Sequence, residues 1–283
     1  MCLHPISHWR SASIVRQSQQ LGLARDDSSI PLKYVGAYLA LSLCKSERRR
    51  ALTGHHRLLR SLSDLSLRQR LRSGIVIWEQ SFAGSHPPLQ ILLEPASVSP
   101  MEGELQLRFC FRTSSLFTLT FSLVPKGILG STMDAIVIGG VQGGYRCRVE
   151  IREAAKLNGE ISPAAMLVLA VRALARVLNV TELIAVGEQE QIAMAYASHK
   201  IKLDYGQFWL DAGATTVGRA YRVPVDPVEK PLVETPLTHR SRTRRKRERR
   251  KALSHAIEQQ LALLFLGAPV PTRAIPTMVA SFA

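Results

Sequence analysis

Asp134 to Gly144, DAIVIGGVQGG, is an apolar run that ends in glycines and a glutamine and passes directly into a segment of helical texture. A strand that stops in glycines ahead of a helix leaves bare backbone amides where a ligand can approach, which is anion-binding chemistry. Gln142, Gly143 and Gly144 are the first candidate contacts. Proton-transfer candidates stand farther along. Glu188 and Glu190 follow the apolar run Leu183 to Val186, and His199 has an ordinary pKa near neutrality. A solvated loop carboxylate is the simpler reading of Glu188. Glu102 and Glu104 lie two apart, so on one strand both side chains face the same side and could pair over a substrate, whereas the intervening Gly103 reads as a turn entering the strand. For metal ligation there is no paired signal: His55 and His56 are adjacent and diverge on a helix, and the other histidines lack a partner at ligand spacing.

The elements that must position these groups change character along the chain. In residues 1–72 apolar residues recur at roughly helical spacing, as in Tyr34, Tyr38, Leu39, Leu41 and then Leu58, Leu59, Leu62, Leu65, and a basic helical region is predicted there. From Ile75, segments such as LQILLE, ELQLRFCFR and FTLTFSLV are separated by Gly, Pro and Ser clusters, the texture of strands with one buried face. DAIVIGGV does not alternate and is placed centrally. Val149 to Leu157 predicts a short helix closed by Asn158-Gly159, and Ser162-Pro163 opens a second one. A strand over Leu183 to Val186, a helix in DYGQFWLDAGA ending near Gly213 and a strand over Ala220 to Val223 follow. After a Pro-rich linker, a basic amphipathic helix from about Arg244 carries Leu253, Ile257, Leu261 and Leu264 on one face. The expected fold is α+β, a mixed and mainly antiparallel sheet flanked by helices. Its expected divisions are a helical region 1–72, a core 73–225 and a tail 226–283.

The formal net charge of +15 is unevenly spread. Residues 1–72 hold 13 Lys/Arg against 4 acids and Arg240 to Lys251 hold 9 against 1, while residues 73–239 hold 14 against 16. The core therefore lacks the basic groove of a sequence-reading nucleic-acid domain. The basic ends suit an anionic membrane or another polyanion, or simply keep the chain soluble. Cys2, Cys44, Cys110 and Cys147 are widely spaced and read as reduced, mostly buried thiols. Without a signal-type apolar core near the N-terminus, a cytoplasmic location is expected, with peripheral contact at the inner membrane face open to the basic segments.

The order Glu102-Gly103-Glu104-Leu105, FTLTFSL, the Ile138 to Gly143 strand end, ISPAAMLVLAVRALA, LIAVGEQEQI, Asp204-Tyr205 with Phe208-Trp209, and a basic C-terminal helix resembles the bacterial VirK/YbjX family over roughly residues 30–265. That resemblance implies a link to virulence and to tolerance of antimicrobial peptides, without naming a reaction. The order of elements is also similar to that of GCN5-related N-acyltransferases. This second resemblance implies an acyl-CoA or other acyl thioester as cosubstrate and an amine on a peptide, protein or lipid-related acceptor. It places the donor's phosphates at Gln142, Gly143 and Gly144 with Arg146 and Arg148 adding charge, and makes Tyr205 the acid that protonates the leaving thiolate. Glu188 or His199 would be the base; Phe208 and Trp209 read as core or pocket wall, and Trp209 could line an acyl or peptide channel. QGGYRC carries its glutamine and glycines at a spacing different from the Q/R-x-x-G-x-G/A signature, and a plain tight turn is the simpler reading of the glycine pair taken alone. GxSxG, GxxxxGK[ST] and HExxH are absent, so those hydrolase, NTPase and zinc-protease signatures give no support.

Overall fold

A computed structural model describes residues 5–62, 64–82, 87–193, 204–229 and 231–267. Eight strands form one sheet: β1 (Ile75–Gln80), β2 (Leu89–Pro95), β3 (Leu105–Phe111), β4 (Ser114–Val124), β5 (Ala135–Gly143), β6 (Glu182–Val186), β7 (Thr215–Val217) and β8 (Ala220–Val223). Their order is β1-β2-β3-β4-β5-β6-β8-β7, with β5 and β6 parallel and the other neighbours antiparallel. The chain is thus α+β with a mainly antiparallel sheet, as the alternating runs predict. β2 buries every second residue, the mark of a strand with one dry face. β6 is buried throughout and β5 as far as Val141, because helices cover both of their faces.

One face carries α4 (Arg148–Leu157), α5 (Pro163–Val177), α6 (Tyr205–Asp211) and α7 (Leu237–Phe265). α5 begins where the sequence predicts: the Ser162 hydroxyl accepts from Ala165 N–H at 3.3 Å and Pro163 occupies the first turn. Its apolar stripe packs with Ile136, Ile138, Leu183 and Ala185 in the larger core. The opposite face is closed by α1 (Pro5–Gln20), a 3-10 turn over Ile30–Val35 and α2 (Lys45–Leu62), which bury Val15, Tyr34, Ala51 and Leu52 against Val137 and Ile184. α3 (Leu65–Leu71) leads into β1. The N-terminal residues are therefore the second cover of the sheet.

Three features differ from the sequence reading. Tyr34 to Leu41 is not a continuous helix: Pro31 starts the 3-10 turn, Gly36 ends it, and Leu39 stands at φ 66. α1 is invisible to hydrophobic periodicity because its buried side is Ser11, Ala12, Val15 and Ser18. α7 starts at Leu237, well ahead of Arg244, and no residue before Leu253 is buried; polar anchors such as Arg247 and Lys251 beside Glu229 hold that half. The thiols also depart from expectation, since Cys44 is exposed and Cys110 and Cys147 only half-buried; Cys2 lies outside the described residues.

Candidate functional site

The two glycine-bearing motifs meet in space. β4 and β5 lose register between Thr120 and Phe121, so Gly139 is an extra residue in β5, a β-bulge. The Met101–Gly103 turn lies directly on it. A Cβ on Gly139 would stand 1.9 Å from the Glu102 carbonyl oxygen, one on Gly140 2.2 Å from Glu102 Oε2, and one on Gly103 2.7 Å from the Phe121 backbone. Side chains at these positions would expel the turn, so Gly139-Gly140 serves to seat Glu102. The Glu102 carboxylate accepts from Gln142 Nε2 at 2.9 Å and is almost wholly buried. Burial lifts its pKa to about 7, against the lowering effect of donors from Ala193 N–H, Gln142 and Ser99. A carboxylate poised near neutrality is the property a general base needs.

The other half of the site is the place where the parallel pair separates. β5 and β6 stay paired from Ala135/Glu182 to Ile138/Ala185, after which β5 runs on to Gly143 without β6. This leaves one edge of Val141 in need of partners. Tyr205 supplies both, its hydroxyl accepting from Val141 N–H at 3.2 Å and donating to Val141 C=O at 2.5 Å. Asp204 positions it by capping α6, accepting from Gln207 N–H at 2.9 Å. Burial, with the Glu102 charge adding to it, raises the Tyr205 pKa to about 12, so the phenol is protonated at neutral pH. Gln191 lies fully buried beside it, with no well-formed hydrogen bond to either end of its amide. Among the described residues its one polar neighbour of note is the Tyr205 hydroxyl, which it helps to orient. Replacing Tyr205 by phenylalanine should strip both Val141 groups of their partner and lower stability by about 1–3 kcal/mol, read as a shift in the urea unfolding midpoint.

The remaining candidates fall in several places. Gln142 faces Glu102, which makes it an orienting residue for that carboxylate. Gly143 continues β5 opposite Phe117, and Gly144 N–H is taken by Leu116 C=O at 2.8 Å, so neither leaves the bare nest expected from the sequence. Arg146 is exposed, with its guanidinium over the Tyr145 ring at 5.0 Å, and Arg148 opens α4 in solvent. Glu188 is exposed on the turn after β6, within electrostatic reach of Tyr205. His199 lies outside the described residues. Trp209 is 1% exposed and belongs to the core, not to an open channel wall. No group of three or more His, Cys, Asp or Glu suited to a metal gathers among the described residues.

Glu104, two residues from Glu102, enters a separate buried cluster. Its carboxylate pairs with Lys33 Nζ at 2.9 Å and stands 3.6 Å from His56 Nε2, while its N–H donates to Phe121 C=O and Ser122 Oγ. His55 Nδ1 accepts from Leu123 N–H at 3.1 Å, and Tyr38 meets Ser122 at 3.3 Å. The two carboxylates thus serve different centres and do not pair over one substrate. The sequence weighed His55 and His56 only as metal ligands and gave no role to Lys33, because the cluster is assembled from separate elements; both histidines are fully buried on α2.

Neither a curated protein nor a solved structure matches the chain. No helix among the described residues is long and apolar enough to cross a membrane. A family model described as protein of unknown function DUF535 matches residues 3–262, nearly the whole chain and including both halves of the site. With that match, the chain belongs to the DUF535 family, which is the VirK/YbjX family.

Proposed function

We propose that the divided β5–β6 edge is the site of an N-acyltransferase that moves an acyl group from a thioester donor to an amine. The observation that carries this reading is the conjunction of Glu102, with its pKa near 7, and the protonated Tyr205 on successive residues of one strand, Gly140 and Val141. Glu102 takes the proton of the attacking amine; the C–N bond forms as the C–S bond breaks; the Tyr205 hydroxyl turns from Val141 C=O to give its proton to the departing thiolate. Gln191, buried beside Tyr205 and only loosely bonded to it, would donate to the thioester carbonyl as negative charge grows on its oxygen. The donor's phosphates fall to the exposed Arg146 and Arg148 and to the start of α4, since Gln142 and the Gly144 N–H are engaged elsewhere. The similarity to GCN5-related N-acyltransferases in the order of elements supports the same reading, as does the parallel pair joined through α4 and α5. Calorimetric titration with CoA and a non-reacting thioether analogue of acyl-CoA tests it. Saturable binding that weakens in Arg146→Glu is expected, and no binding of either compound would remove the donor from the account.

A second reading, docking on an anionic membrane, rests on α7. Arg244 and Arg245 are exposed along with Leu237, at 77%, on a helix half with no buried residue, and Val233 in the 3-10 turn just before it is 74% exposed. α1 and α2 cover the other face of the sheet, so the two basic segments act separately in this reading. Co-sedimentation with anionic vesicles should fall when Arg244 and Arg245 are changed to alanine, and should weaken with salt.

A further inference from the structure

A depression of about 340 Å³ opens where the carboxyl end of β6 meets the β7–β8 turn. Ser42, Gly130, Val186, Glu190, Gly218 and Arg219 are among the residues around it. Its one buried charge is Glu190, 3% exposed. Ser42 N–H donates to Glu190 Oε2 at 2.6 Å, and Arg219 Nη1 pairs with Oε1 at 2.9 Å. The two partners differ in kind. Ser42 contributes a fixed backbone amide; the Arg219 side chain is 75% exposed. The backbone of Arg219 is held, because its carbonyl accepts from Gly187 N–H at 3.1 Å and stands where any Cβ on Gly187 would be, 2.1 Å away. Its guanidinium can therefore leave Glu190 by side-chain rotation alone, with no movement of the strand turn.

We infer that this depression binds a small linear diamine, whose ammonium group displaces the Arg219 guanidinium from Glu190. The chemistry of the walls favours such a ligand. Aliphatic Leu129, Val186, Val217 and Ala220 suit a methylene stem, and a single buried carboxylate suits one cationic head. The size is that of a small-molecule site. Its link to the site above is through the chain: Glu190 directly precedes Gln191, on the turn that follows β6. This inference rests on the acyl-transfer reading only in making the second amine of the bound diamine the nucleophile; the binding itself does not need a donor.

The test is calorimetric titration of the full chain with 1,4-diaminobutane in the absence of any thioester. Saturable 1:1 binding is expected, tightening by about tenfold in Arg219→Ala, which removes the competing cation. Glu190→Gln keeps an acceptor for Ser42 N–H and removes the charge, so it should weaken binding by about tenfold or more. 1,4-Butanediol, of similar shape and uncharged, should not bind. Absence of diamine binding in both the wild type and Arg219→Ala overturns the inference, as does equal affinity in Glu190→Gln. Binding of a lysine-containing peptide in place of the diamine also overturns it. Failure here leaves binding of the thioether analogue untouched, whereas diamine binding without amine-dependent transfer would sink the enzymatic reading and keep this site.

Discussion

Glu102→Gln should lower amine-dependent acyl transfer by about 10²- to 10⁴-fold while making the folded protein more stable at alkaline pH. Both effects come from the same burial. In the fold the carboxyl has a pKa near 7, against an ordinary 4.5. A raised carboxyl pKa means that the unfolded chain gives up the proton first. The stabilising proton is fully in place below pH 4.5, and its benefit is lost as pH rises through 7. Above that the buried charge costs about 3 kcal/mol, which a neutral amide does not incur. Thermal unfolding at pH 8 should show the variant melting above the wild type, and the two should converge toward pH 4. The stability gain follows from burial alone, so the catalytic role is read in the activity: a merely structural Glu102 would give the same gain with transfer unchanged.

The second large effect is expected at Glu104. Changing it to leucine leaves the Lys33 ammonium buried without its partner and should destabilise by about 3–5 kcal/mol in denaturant unfolding. Adding Lys33→Met should recover most of the loss, because the pair together contributes far less than its disruption costs. The histidines beside it set the acid limit. Burial lowers the His56 pKa from 6.5 to about 4, Lys33 lowering it further and Glu104 acting against both, and burial also lowers that of His55. The unfolded chain therefore takes up protons first as pH falls. Stability from the His56 ring is complete above 6.5 and is lost as pH falls through about 4, with His55 acting in the same direction. His56→Phe should flatten the acid side of the stability curve.

Local signals carried the strands and the middle helices. The alternation in β2, the cap at Ser162-Pro163 and the glycines after α4 and α6, at φ 66 and 80, are short-range chemistry that periodicity and propensity can read. α1 falls inside the helical region expected over residues 1–72, but its bounds were not legible, since a helix that buries serines and alanines has no apolar period. At the site, Tyr205 and the glycine-ended strand stood out by type and order, but their roles came from contacts far apart in sequence. Gly139-Gly140 looks like a ligand cradle in one dimension. In three it is the seat of a carboxylate about 40 residues earlier, Glu102, whose perturbation depends on burial that no spacing announces. The bulge that joins them is a mismatch between two strands and leaves no mark on either strand alone.

Single-turnover release of CoA from an acyl-CoA, followed with and without an amine acceptor between pH 5 and 9, addresses the central claim most directly. Amine-dependent release should rise through about pH 7 as Glu102 ionises, and that rise should be lost in Glu102→Gln. Amine-dependent release with the same pH profile in Glu102→Gln, or none from acyl donors of any chain length, would contradict it.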